Sequence, residues 1–319
     1  VTTAVNSGGQ RRTYRHPTNY ESWKTTDSQY GTVTAWGYDT ESSTPAYSYI
    51  SGDITNAYSE KVSEVRRSML FMPTNNSAMP AVFFVADKIV STDAGFKKTF
   101  LLQAPVMPEV SGNTTRIKRT HSNYNGMLTV QTLFPENPEI VAQGGPGYQW
   151  YAGGENILPL DTDGTTLLDE SNLNYGWGKV LISPSVEQKE DYFLNAMYVS
   201  NSGYFKNPVA VSMENEYFIG GELVDKIALF AKSSDFLKGE YTLPIQSSDK
   251  GKEVIVTGLS CGIWEVYENG EYKNEYVIDD ESSLIHFTTS GGEIKINYTT
   301  LDKPEINAGF IKDSEGNPV

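Results

Sequence analysis

The chain has 319 residues, a net charge of −15 and 12 % aromatic residues, including 20 tyrosines. That length suits one large or two medium domains with real cores, and the aromatic content with frequent Gly and Pro fits a β-rich periplasmic or secreted protein rather than a disordered one. No apolar run approaches the roughly 20 residues that span a bilayer, and the net negative charge argues against nucleic acid as a partner, because phosphate neutralisation supplies most of such affinity.

Residues 1–45 are polar and weakly periodic, and read as loops and edge strands lying over another layer. A helical turn is expected within Ile54–Arg67, where Ala57, Val62 and Val65 recur at three to five residues. From Met69 onward strand-length apolar runs alternate with turn residues: Ala81–Val90, Thr99–Ala104, Met127–Phe134, Lys179–Ser183, Tyr192–Val199, Val209–Val211 and Leu223–Ala231. Short strands without intervening helical periodicity predict an all-β sandwich or barrel. Residues 136–178 read as one long Gly/Asp/Asn-rich excursion, with Gly144-Gly145-Pro146-Gly147 and the aromatics Tyr148, Trp150 and Tyr151.

A composition shift at Ser233–Glu240 predicts a boundary. Beyond it lie four strand candidates, Glu253–Gly258, Gly262–Tyr267, Ser283–Thr288 and Glu293–Tyr298, with an Asn269-Gly270 hairpin turn. Residues 1–235 therefore read as the main sandwich, and residues 236–319 as a small antiparallel domain ending in a tail from residue 301. The chain opens on Val without a charged, apolar leader, which reads as an N-terminus made by processing or by a cut.

Charge is unevenly spread. Residues 1–131 hold 13 Lys and Arg against 10 Asp and Glu, whereas residues 132–319 hold 12 against 30. All seven arginines (Arg11, Arg12, Arg15, Arg66, Arg67, Arg116 and Arg119) lie in the first part. A guanidinium fork matches carboxylate and sulfate oxygens in pairs, although any one arginine is as readily an ordinary surface charge.

Motifs for chemistry are sparse. His16, His121 and His286 stand in separate segments with no metal-ligand spacing, and the lone Cys261, expected to be buried beside Trp264, allows no disulfide framework and no multi-Cys zinc site. There is no Gly-x-Ser-x-Gly elbow, and the glycines at 144–147 lack the Lys-Ser/Thr ending of a phosphate loop. What remains is recognition of carbohydrate by aromatic faces and polar side chains. In Asn6-Ser7-Gly8-Gly9-Gln10-Arg11 two glycines permit close backbone approach beside Asn6, Gln10 and Arg11, the candidate substrate-binding residues; the alternative is a simple polar turn. For Tyr148, Trp150 and Tyr151, packing under their own loop is the favoured alternative to stacking on sugar.

Several of these segments, in order, resemble the C-terminal half of bacterial heparinase II. They are the Asn6 to Arg11 run, Tyr49 to Ser59, Arg67-Ser68, Val85 to Val90 with Asp87-Lys88 at its centre, and Phe96-Lys97-Lys98. Ile117 to Thr120, Gly126-Met127-Leu128, Asp191 to Asn195 and Gly262 to Val266 extend the likeness over nearly the whole chain. The resemblance implies a layered antiparallel β-sandwich followed by a small β domain, forming part of a heparinase II/III-like polysaccharide lyase. It further implies β-elimination on a uronic-acid-containing glycosaminoglycan, with heparin or heparan sulfate favoured, and an N-terminal α-toroid as partner. The family's Tyr and His proton-transfer groups and its structural zinc would lie upstream. No catalytic residue and no metal ligand is therefore assigned to this chain, and it is expected to bind no cofactor. The polar stretch His16–Pro45 departs from the family pattern and leaves the exact polysaccharide open. A non-catalytic module binding acidic glycans is the alternative.

Overall fold

A computed structural model describes residues 10, 18–24, 31–40, 45–120, 123–152, 154–157, 176–204, 206–279 and 281–301. After a single helical turn (Tyr20–Lys24), the described chain is built from strands. The expected all-β layered sandwich is what forms, with a small β layer after it.

The largest sheet contains β1 (Thr32–Tyr38), β2 (Ser48–Asp53), β3 (Val62–Pro73) and β4 (Ala81–Ser91), then β6 (Glu109–Ser111), β7 (Thr114–Arg119), β8 (Gly126–Phe134) and β13 (Glu190–Asn201). Their order is β1-β2-β3-β4-β13-β8-β7-β6, antiparallel throughout. A second sheet joins β5 (Phe100–Ala104), β12 (Gly178–Ser183) and β9 (Glu139–Gly144), beside a two-stranded ribbon of β10 (Tyr151–Ala152) and β11 (Glu155–Asn156). A third runs β14 (Val211–Glu214), β15 (Phe218–Leu223), β16 (Lys226–Ala231), β18 (Glu253–Thr257) and β21 (Leu284–Thr288). The fourth contains β17 (Glu240–Thr242), β22 (Ile294–Thr299), β19 (Gly262–Glu268) and β20 (Glu271–Ile278).

The side-chain period of two assigns each face. Phe84 and Ala86 of β4, with Leu194 and Ala196 of β13, pack on Ile219, Ala228, Phe230 and Ile255 of the five-stranded sheet. The alternate residues Val85, Phe193 and Met197 pack on Phe100, Val180 and Ile182 of the three-stranded sheet. On the far side of the five-stranded sheet, Ile227, Leu229, Val254 and Val256 meet Trp264, Val266, Ile294 and Ile296. The molecule is thus four layers deep, in the order three, eight, five and four strands. Strands buried on both faces read as unbroken apolar runs, which is why Ala81–Val90 and Tyr192–Val199 are visible in the sequence. Where the eight- and five-stranded layers come closest, Gly221 has no room for a side chain: a Cβ there would stand 2.4 Å from a Leu133 methyl carbon.

Several expectations change. Within Ile54–Arg67 only Thr55–Ala57 form a turn, of the 3-10 kind, because Asp53 Oδ1 accepts bonds from the Thr55 amide and hydroxyl and the chain is extended again from Val62. The excursion 136–178 contains a paired strand, β9, hydrogen-bonded along β12. Val211 opens a strand instead of closing one. Cys261 is exposed: the residues of β19 that turn inward are Trp264 and Val266. The break expected near residue 235 falls between β16 and β17, and strands from both sides of it share one sheet through the parallel pair β16–β18.

At the rim of the five-stranded sheet, Lys226 lies opposite Glu253, and His286 Nε2 stands 3.5 Å from Glu253 Oε2. The imidazole, with the Lys226 ammonium, holds the Glu253 carboxyl down to about 2. A depressed folded-state value gives stability that is full above the unfolded carboxylate range and is lost as pH falls through 4.5 toward 2. Glu253→Gln should cost about 1 kcal/mol at pH 7, allowing for solvent screening. In urea unfolding the gap to the parent protein should narrow below pH 4.5 and close only below pH 2. A gap that persists there would assign the loss to packing instead of charge.

Candidate functional site

The segment Ser51–Ser68 folds into one corner. β2 ends at Asp53, the Thr55–Ala57 turn reverses the chain, and Tyr58 leads into β3. Antiparallel register sets Arg67 of β3 opposite Asp87 of β4, on the same face. The pair is bidentate: Arg67 Nε donates to Asp87 Oδ1 at 2.7 Å and Nη2 to Oδ2 at 2.6 Å. Phe100 of β5 lies under the guanidinium, its ring centre 5.3 Å from Cζ. Gln10 reaches the same corner, where its Nε2 donates to Tyr58 Oη at 3.2 Å.

The two charges sit differently. The Asp87 side chain is 3 % exposed and that of Arg67 is 32 % exposed. Burial pushes the Asp87 carboxyl above its ordinary range, against the pull of Arg67, while the hydrogen bonds to Asp87 hold Arg67 more firmly charged. Two of the five guanidinium N–H groups serve Asp87, and Tyr58 is near enough to favour the charged form of Arg67. The corner is therefore a fixed cation resting on a buried counter-charge, with an amide and a phenol beside it. Such a group can hold a carboxylate or sulfate.

Beyond this corner the eight-stranded sheet is bare. The three-stranded layer covers it around β4 and β13, but the cross-strand rows Trp36–Ile50–Met69 and Tyr38–Ser48–Phe71–Phe83 extend past that cover. Trp36, Tyr38, Ile50 and Phe71 are 43 % to 53 % exposed. They line an open hollow with Val33 and Met69.

The remaining sequence signals separate. Gln10 is at the corner, whereas Asn6 and Arg11 lie outside the described residues, as do His16 and His121. Lys98, of the Phe96-Lys97-Lys98 run, is buried in a structural cluster: its Nζ bonds Ser91 Oγ at 3.0 Å and pairs with the fully buried Asp191 at 2.9 Å. Lys88 turns to the opposite side of the sheet, toward Glu64 and Ser234. Tyr148 and Tyr151 meet at 5.0 Å in the 144–157 turn, remote in the chain from the Arg67 corner. Arg67 and Asp87 were both visible in sequence as parts of separate runs. Their pairing was not, because it depends on the β3–β4 register, for which the opposed signs were the one available hint.

Arg67→Ala should destabilise the chain by about 3–5 kcal/mol, since it strands a buried carboxyl without its partner. Arg67→Met combined with Asp87→Leu should recover most of that loss in denaturant unfolding. A double variant no better than Arg67→Ala would mean that the pair does not account for the cost.

Residues 212–298 match the family described as the heparinase II C-terminal domain. Among solved structures, a heparinase III gene product is similar at 12 % identity and a TM-score of 0.39, over 60 % of this chain and 26 % of that one. A second heparinase III crystal structure gives 9 % identity and a TM-score of 0.38, over 61 % of this chain and 25 % of that one. The chain spans about a quarter of the length of these structures. No curated protein matches it. The matched segment runs from β14 to β22.

Proposed function

We propose that this chain is the C-terminal β portion of a polysaccharide lyase acting on uronic-acid-containing glycosaminoglycans, heparin or heparan sulfate above others. The observation that carries the proposal is the match of residues 212–298 to the heparinase II C-terminal domain. The second unit of such a chain begins near Val211, where that match and the five-stranded sheet both start, and not near residue 235. The enzyme works outside the cytoplasm, in the periplasm or secreted.

In β-elimination a base takes the proton at C5 of the uronate, an acid protonates the departing O4, and the carboxylate must be neutralised for the carbanion-like state to form. The Arg67 corner suits the last of these tasks: its cation is fixed by Asp87 before substrate arrives and costs no reorganisation. Gln10, with Asn6 and Arg11 next to it in sequence, would bind sugar hydroxyls and anionic groups there. The base, the acid and any structural zinc belong to the upstream part of the same enzyme, which includes an N-terminal α-toroid. The bare face of Trp36, Tyr38, Ile50 and Phe71 is the surface such a partner would cover, because an apolar patch of this kind is seldom left in water.

The test compares this chain with the same chain joined to a heparinase toroid, on heparan sulfate, by ultraviolet absorbance of the unsaturated product. The isolated chain should give none, and the joined protein should turn over. Product from the isolated chain would overturn the proposal; glycan binding without turnover by the joined protein would favour a non-catalytic binding module. In the active protein, Gln10→Ala should raise KM several-fold with little change in kcat. An unchanged KM would leave the Gln10–Tyr58 bond a structural one.

A further inference from the structure

The three-stranded sheet turns one face to β4 and β13 and the other to solvent. Register lays two rows across the outer face: Leu101, Leu181 and Val141, then Gln103, Lys179 and Gln143. Cross-strand neighbours stand about 5 Å apart, so the second row is an ammonium flanked by two amides. Where this row ends, the chain turns sharply through Gly145 and Gly147, both in the left-handed region at φ 84° and 81°. The turn returns the Tyr151 carbonyl over Lys179, whose Nζ donates to it at 2.6 Å.

The turn is held firmly. The Gly145 amide donates to Trp177 O at 2.7 Å, the Tyr148 amide to Gly145 O at 2.9 Å, and the Trp150 amide to Asn156 Oδ1 at 2.9 Å. It presents the Tyr148–Tyr151 pair beside the row, with Tyr148 50 % exposed. Lys179 differs from most of the other partly buried lysines, Lys61 over the Phe96 ring excepted. Lys88, Lys98, Lys226, Lys232 and Lys252 each face a carboxylate, whereas no ion pair joins Lys179 to a carboxylate among the described residues. Burial lowers its pKa, a cost that an incoming anion would relieve. After the bond to Tyr151 it retains two donors.

We propose that this outer face is a second glycan subsite, in which Lys179 takes a sugar-borne anion, Gln103 and Gln143 bond hydroxyls, and Tyr148 stacks on the ring. Amides, a cation and an exposed aromatic on a rigid turn are the groups that an acidic sugar requires. The subsite rests on the lyase proposal only for the choice of probe.

Calorimetric titration of the present chain would use three probes: heparin oligosaccharides, their desulfated and N-acetylated form, and their carboxyl-reduced form. Lys179→Met, which keeps the apolar stem, should weaken heparin binding at least tenfold, and Tyr148→Ala about fivefold. Lys273→Met, an exposed charge on the four-stranded sheet, should change nothing. Whichever modified probe retains affinity identifies the anion as carboxylate or sulfate. No binding of any probe, unchanged affinity in both variants with an intact fold, or an equal loss in Lys273→Met would each overturn the subsite. Because binding is read on this chain alone, its failure is distinguishable from failure of the joined enzyme to turn over.

Discussion

Two of the four sheets are covered on both faces at their centres, and that constraint governs the rest of the molecule. The eight-stranded sheet is gripped around β4 and β13 from both sides, and the five-stranded sheet is enclosed between it and the four-stranded layer. In a strand buried on both faces an unpaired polar group is costly. Some of the polar residues that occur there are answered in place: Asn195 Oδ1 accepts the Thr132 hydroxyl at 2.8 Å and Asp191 holds Lys98, whereas Asn195 Nδ2, Thr129 Oγ1 and Tyr198 Oη meet no hydrogen-bond partner among the described residues. Arg67 and Asp87 follow the same rule with a different outcome, because they sit where the three-stranded cover gives out. There one partner can be buried and the other left at the surface.

The doubly buried strands were also the legible ones. Ala81–Val90 and Tyr192–Val199 coincide closely with β4 and β13, since continuous apolar character survives without knowledge of register. β1 and β2 were not resolved from the polar N-terminal stretch, as their exposed alternate residues dilute the signal. The five-stranded sheet defeated local reading for another reason. Its centre is the parallel pair β16–β18, whose residues are 27 apart in the chain, and nothing near Lys226 announces that Glu253 will lie beside it. A composition shift near residue 235 marks the connection between those strands, where local polarity rises although the sheet continues.

Of the candidate site, the single residues were visible and the assembly was not. The amide of Gln10 marks it in the sequence as a candidate, but Tyr58, the group it meets, carries no such mark. The aromatic cluster at 148–151 was read as loop packing. In the fold, Tyr148 and Tyr151 do contact one another, yet half of Tyr148 remains exposed and the Tyr151 carbonyl meets Lys179, so packing alone does not exhaust the surface of the cluster. Chemistry carried by a cross-strand row, as with Gln103, Lys179 and Gln143, is invisible until register is known, because no two of those residues are close in sequence.

Layer order also bears on how a chain of net charge −15 would meet the acidic polymer proposed above. On the outer face of the four-stranded layer, Glu240, Asn297, Glu265 and Glu275 form one cross-strand row, three carboxylates with no cation among them. Arg67 and Lys179 lie at the other end of the stack, in the eight- and three-stranded layers, separated from that row by the five-stranded sheet. Fields from exposed charges fade over about 8–10 Å at physiological salt, less than the thickness of two packed sheets at about 10 Å per interface. The acidic layer therefore does little to repel an anion at the far end, yet discourages its approach to the near one. Net charge is a property of the whole surface; the polarity of the stack would decide which end the proposed acidic glycan meets.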